Sequence, residues 1–216
     1  MRAGRNAMSL KTTLALGRIA RAGVLSLLFA AVLTPPTAAQ DHSDPTETQP
    51  VARPNNPEMT AIFEADQAAR KKPDIDWEKV AIEDAARRKR VGELLDAGAL
   101  QSGDDYYHAA FVFQHGSEAN DYLLAHLLAT IAIARGRPDA VWIASATLDR
   151  YLQAIDKPQI LGTQYTIPEN GPATQEPYDR ALISDAMRKA LRVPPLEEQE
   201  KRRRQYGEKA SVSQIP

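Results

Sequence analysis

Two stretches of helical period joined by a short turn constrain this chain more than any other feature. Residues 121–135 place Leu124, Leu127, Leu128 and Ile131 at i, i+3, i+4 and i+7. Alanines at 125, 129 and 132 allow a neighbouring helix to approach closely. Gly136-Arg137-Pro138 interrupts the period, and residues 139–155 resume it with Val141, Ala144, Leu148, Leu152 and Ile155 on one stripe. Two alanine-rich helices around so short a turn predict an antiparallel hairpin. The fold class expected is all-α, a compact antiparallel helical bundle or stacked helical hairpins.

The flanking sequence extends this pattern. Asn56-Pro57 is a capping residue before a proline at the first helical position, and it opens a helix to about residue 71 with Met59, Ile62, Phe63 and Ala69 on one face. Pro73 ends it. Asp76 caps a second helix carrying Val80, Val91, Leu94 and Leu95, with Gly98 as its stop. Within it, Arg87-Arg88-Lys89-Arg90 reads as a solvated face, because Glu83 and Asp84 stand four residues before Arg87 and Arg88. Ser102 followed by Asp105 has capping-box form and opens a third helix, which Gly116 terminates.

Residues 156–177 lose the helical period and form a polar loop, a length that in a compact domain marks either function or disorder. Helix is expected again over 178–192. After Pro194-Pro195, residues 194–216 form a charged helix or tail in which Glu197, Glu198 and Glu200 precede Lys201, Arg202 and Arg204 by four.

The N-terminus sets location. Arg2, Arg5, Lys11, Arg18 and Arg21 precede an apolar run over residues 24–33, which is about half of the ~20 residues a permanent transmembrane helix needs. Pro35-Pro36 and Thr37-Ala38-Ala39 follow. Residues 1–39 are therefore expected to be a signal peptide cleaved after Ala39, with Met8 an equally good start, and the protein to be periplasmic or secreted with no stable membrane anchor after cleavage. Residues 40–56 are proline-rich and polar, a disordered linker ahead of a helical domain over 57–193. Cleavage removes five of the 27 basic residues and no acid. The mature chain then carries 22 basic against 28 acidic residues, a formal charge of −6 that excludes a general nucleic-acid binder. No cysteine is present, so disulfides, lipidation and thiolate chemistry are excluded.

Candidate chemistry collects in the second half. His115, beside Gly116 at a helix C-terminus, is either a dipole-stabilised histidine or a general base that Asp149 would orient. A buried Asp149 needs a partner, and Arg150, Gln159 and Thr163 are candidates. Gly162-Thr163-Gln164-Tyr165 offers hydroxyl, amide and phenol groups on one loop, the expected wall of a pocket, with Gln114 and Gln159 as further ligand contacts. No nucleophile elbow, phosphate loop, metalloprotease helix or dinucleotide fingerprint occurs. His108 and His115 are seven residues apart, about 10 Å along a helix and too far for one ion, so no metal or cofactor is expected.

The segments MTAIFEADQAAR, DAARRKRVGELLDAGAL, DDYYHAAFVFQHG, DYLLAHLLATIAIARG, LDRYL and KPQILGTQ resemble an uncharacterised bacterial family known only as a domain of unknown function. The resemblance is carried by Gln114-His115, Asp149-Arg150 and Gln159 with Gly162-Thr163-Gln164. It implies a mostly helical domain and no established activity.

Two readings of function follow. One is an exported helical module that binds a protein or peptide partner, although no 34-residue period supports an extended solenoid. The other is a hydrolase or transferase with His115 as base, Asp149 as its orienter, and Arg150 or Gln164 stabilising negative charge.

Overall fold

The computed structural model describes residues 53–168 and 171–213, with side chains described only to residue 207; the signal peptide and most of the linker expected from the sequence lie outside these. Among the described residues the chain forms seven α-helices and no strand, the all-α class expected. They are α1 (Pro57–Ala69), α2 (Trp77–Asp96), α3 (Gly103–Phe113), α4 (Ala119–Ala134), α5 (Ala140–Ala154), α6 (Asp185–Ala190) and α7 (Leu196–Ser213).

Local signals set most of the boundaries. Asn56 caps α1 by accepting from the N–H groups of Glu58 and Met59. Asp76 caps α2, which stops where Gly98 takes φ 63°, a left-handed conformation that glycine adopts without a Cβ penalty. At α3, Ser102 accepts from Asp105 N while Asp105 Oδ2 accepts from Ser102 N, the expected capping box. Asp105 also accepts from Asn56 N at 2.7 Å, so the start of α1 is anchored on the start of α3. The fourth helix begins two residues before the expected Asp121, because Asp121 caps from inside it by accepting from Ser117 N and Glu118 N.

The helices pack in series. Most contact runs from α3 to α4 and from α4 to α5, with α1 and α2 laid on α3. Seven of the fifteen residues in the main buried cluster are alanines, so the helix axes come close together. On α4 this packing buries the alanines and only part of the leucine stripe, since Leu128 is buried and Leu124 packs on the cluster. Ala125, Ala129 and Ala132 are fully buried, whereas Leu127 is 50 % and Ile131 38 % exposed. A helix clasped on two sides buries its small face, and among the described residues no further layer covers Leu127 and Ile131. On α5 the buried face runs through Ala140, Ile143, Ala144 and Thr147, while Ile155, expected on the apolar stripe, is exposed.

Two further expectations are corrected. Helix does not return at Tyr178. Its neighbours are spent on a bridge to Gln159, with Gln159 N donating to Pro177 O at 3.0 Å and Asp179 N to Gln159 O at 2.9 Å, so α6 waits for the Ser184 cap. Nor is the basic run of α2 merely solvated. Arg90 does face water and pairs with Glu58 and Glu93. Arg87 makes the expected pair with Glu83 and a further one with Asp84, whereas Arg88, expected to pair with Asp84, donates to His115 O at 2.9 Å.

Candidate functional site

Two polar assemblies occupy the region where the candidate residues fall. The first joins the ends of α1 and α3. Nδ1 of His115 lies 3.0 Å from Oδ1 of Asp66, whose side chain is fully buried and also accepts from Arg70 and Gln67. Arg70 continues to Asp84, which pairs with Arg87. Burial pushes the Asp66 carboxyl up, but the hydrogen bond and charge of His115, with the charge of Arg70, outweigh it and hold the group below the usual aspartate range. The expected His115–Asp149 pair is not made: Asp66 holds the imidazole, and the carboxylate of Asp149 is engaged elsewhere.

Asp149 centres the second assembly. Fully buried on α5, it accepts through Oδ1 from Ile160 N (2.9 Å) and Leu161 N (3.0 Å), and through Oδ2 from Thr163 N (2.9 Å) and Thr163 Oγ1 (2.8 Å). Of the partners considered for it, Thr163 supplies the bond. Four donors satisfy the carboxylate, which is a loop anchor with no lone pair directed at a ligand.

The loop around Asp149 is tied by three buried glutamines. Gln159 accepts from Gln164 N and donates to Gln164 O, both at 3.0 Å, and donates to Gln175 O. Gln175 donates to Gly162 O at 2.6 Å. Gln199 of α7 donates to Leu161 O and Pro194 O and accepts from Tyr178 Oη at 3.1 Å. Gly162, at φ 78°, leaves no room for a side chain, since a Cβ there would lie 2.0 Å from Gln199 Oε1. Tyr165 contacts Gln199 O and stacks edge-on with Tyr206, and burial pushes its phenol up to about 12. The expected pocket wall at Gly162–Tyr165 is therefore a packed joint between the loop and α7, stabilised by side chains that look ligand-binding in sequence.

Arg150 connects the two assemblies. It donates from Nη1 to Gln114 O at 2.8 Å and from Nε to Gln164 Oε1 at 3.0 Å, and it forms no carboxylate pair among the described residues. Burial, with the nearby charge of Arg70, lowers its pKa. Together with Arg88 on His115 O it caps the negative end of the α3 dipole. The structure thus joins Gln114, Arg150 and Gln164 in one chain of contacts, leaves the His115 side chain with Asp66, and assigns Asp149, Gln159, Thr163 and Tyr165 to loop packing.

Sequence reasoning missed Asp66, although the signal was present: it sits seven residues after Met59 and three after Phe63, an acid on the apolar stripe of α1. It also missed Arg188, 1 % exposed and donating to Ile183 O, Arg180 O, Asp185 and Tyr178 Oη.

Among the described residues no cluster of histidines and carboxylates is arranged to hold a metal ion, and no helix is long and apolar enough to cross a membrane. Two surface grooves of about 750 Å³ each are lined by residues other than the candidate site residues. One runs along α7 and the other lies between the start of α3 and the end of α4. No family model, curated protein or solved structure matches the chain.

Proposed function

We propose that this chain is an exported, non-catalytic helical module of the cell envelope that binds a protein or peptide partner. The observation that carries the reading is the outer side of α4, where Leu127 and Ile131, one helical turn apart, stay half-exposed while the alanines opposite them are buried. Large aliphatic groups on a helix whose own core contact is made by small residues are suited to an intermolecular surface. The spent state of Asp149, Gln159 and Thr163 supports the same reading, because it removes them from catalysis. A photo-crosslinking amino acid at Leu127, activated in the living cell, tests it. A discrete heavier adduct on protein whose N-terminus is Gln40 is expected. Absence of any adduct, or an intact N-terminus on protein in the cytoplasm, overturns it.

A hydrolase or transferase built on His115 retains one supporting observation. Asp66 fixes the Nδ1 edge of the imidazole, Nε2 has no partner among the described residues, and the side chain is 17 % exposed. Asp66, not Asp149, is then the orienting residue. Hydrolysis of a panel of ester, phosphoester and glycoside substrates that disappears in His115→Gln favours this reading; the same rate in wild type and variant eliminates it.

A further inference from the structure

The start of α3 and the end of α4 meet so closely that a Cβ on Gly103 would lie 2.9 Å from Arg135 O. Beside that junction is the groove of about 750 Å³, and its charged lining is Arg53, Asp104, Arg135 and Arg137, three cations against one anion on a chain whose formal charge is −1. Asp104 is already shared, accepting from Arg137 at 2.8 Å and Asn55 at 3.1 Å. Neither Arg53 nor Arg135 pairs with a carboxylate among the described residues, and Nε of Arg137 is enclosed without a partner. Two of the guanidiniums are held in advance: Arg135 lies 5.0 Å over the ring of Tyr106, and Arg137 4.7 Å over the ring of Tyr107. Arg135 also donates from Nη1 to Gln101 O, which leaves its Nε and Nη2 for a carboxylate, and a guanidinium already held in this way gives up little rotamer entropy when one arrives. Ile133 and Ala134 supply an apolar stretch of the same lining.

We infer that this groove binds an extended acidic segment of a partner protein, its carboxylates engaging Arg53, Arg135 and Arg137. The inference rests on the binding-module reading and gives its partner a chemistry. Cations contributed by separate chain segments around a groove this large fit several carboxylates along a strand better than one small anion. The positive surplus, on an otherwise acidic protein, would steer such a segment to this face.

The test is fluorescence anisotropy of a labelled hexaglutamate peptide titrated with the protein purified from cells that export it, at low ionic strength. Saturable binding is expected, weakened about tenfold or more by Arg135→Gln with an unchanged melting temperature, unchanged by Arg204→Gln on α7, which lines a different groove, and lost as salt rises. Equal binding by wild type and Arg135→Gln overturns the proposal, as does no binding in any variant. Inorganic phosphate that displaces the peptide at matched charge reduces the groove to a small-anion site and overturns the peptide assignment. The residues upstream of Arg53 include Asp41, Asp44 and Glu47. Binding that appears only in Asp41→Asn/Asp44→Asn/Glu47→Gln means that the chain's own segment is the occupant, which overturns an external partner. A crosslinked partner at Leu127 without hexaglutamate binding overturns this groove and leaves the module reading standing, whereas peptide binding without a crosslink overturns Leu127 and Ile131 as the contact surface and leaves this groove standing.

Discussion

Thr163 gives both its backbone N–H and its hydroxyl to one oxygen of Asp149, at 2.9 and 2.8 Å. This double donation pins residues 160–164 to α5, and it explains why an aspartate lies in the middle of a buried helix face. Replacing Asp149 by Asn puts an amide group where an oxygen now accepts two bonds. We expect a loss of about 3 kcal/mol in urea unfolding, with Thr163→Val costing about 1–2 kcal/mol. An Asp149→Asn variant as stable as wild type would refute the anchoring role.

The Asp66–His115 contact carries a pH signature. The folded-state pKa of Asp66 lies below its ordinary value of 3.8, so its contribution is fully present above that value and is lost as pH falls through the depressed one. Asp66→Asn is expected to cost about 3 kcal/mol at pH 7, because a buried charged partner is removed. The gap between variant and wild type should narrow on acidification below about pH 4. Denaturant melts at pH 7, 4 and 3 measure it, and a gap that stays constant contradicts the assignment.

His108 stacks on Phe63 with ring centroids 4.1 Å apart and an interplanar angle of 12°. Burial lowers its pKa from 6.5, against the attraction of Asp104, Asp105 and Glu64, so folding favours the neutral ring. Its stabilising effect is complete above the unfolded value of 6.5 and declines as pH falls from there toward the folded value. His108→Phe keeps the stack and removes the proton. Its melting temperature should therefore rise relative to wild type between pH 7 and pH 5; a parallel pair of curves would rule out His108 as a source of acid sensitivity.

Opposite faces of α4 should respond in opposite ways. Ala129→Leu inserts bulk at a fully buried contact and should destabilise by about 1–3 kcal/mol. Leu127→Ala, on the half-exposed side, should change stability by no more than about 0.5 kcal/mol. The order follows from the alanines being the contact face, and one pair of thermal melts tests it.

Gly162→Ala tests the joint between the loop and α7. The new methyl group meets Gln199 Oε1, and alanine is strained at φ 78°. A loss of at least about 2 kcal/mol is expected. Tyr165 should become more readily deprotonated as its burial is relieved, which ultraviolet titration would register. An unaltered phenol titration in a destabilised variant would place Tyr165 outside this joint.

Much of the fold was legible because it depends on neighbours in the chain. Asn56, Asp76 and Ser102 are caps whose partners stand two or three residues on, and Gly98 is a stop whose conformation is local. The candidate site was less legible. The need of Asp149 for a partner and Thr163 as a candidate for it are legible in the sequence, but the same residue types serve a packed loop and a ligand pocket equally well. Asp66 joined His115 from 49 positions away, and nothing in either local sequence marks that pairing.

By itself the sequence determined the all-α class, the α4–α5 hairpin and most helix starts, since these follow from periodicity and capping within a few residues. It also carried the export expectation, in a segment outside the described residues. Tertiary structure alone decided that Leu127 and Ile131 of the α4 stripe stay exposed, because α3 and α5 close on the alanines that the sequence marks for close approach. It decided that Asp149 anchors a loop while Asp66 holds His115, because a buried carboxylate takes whichever donors the folded chain brings within about 3 Å.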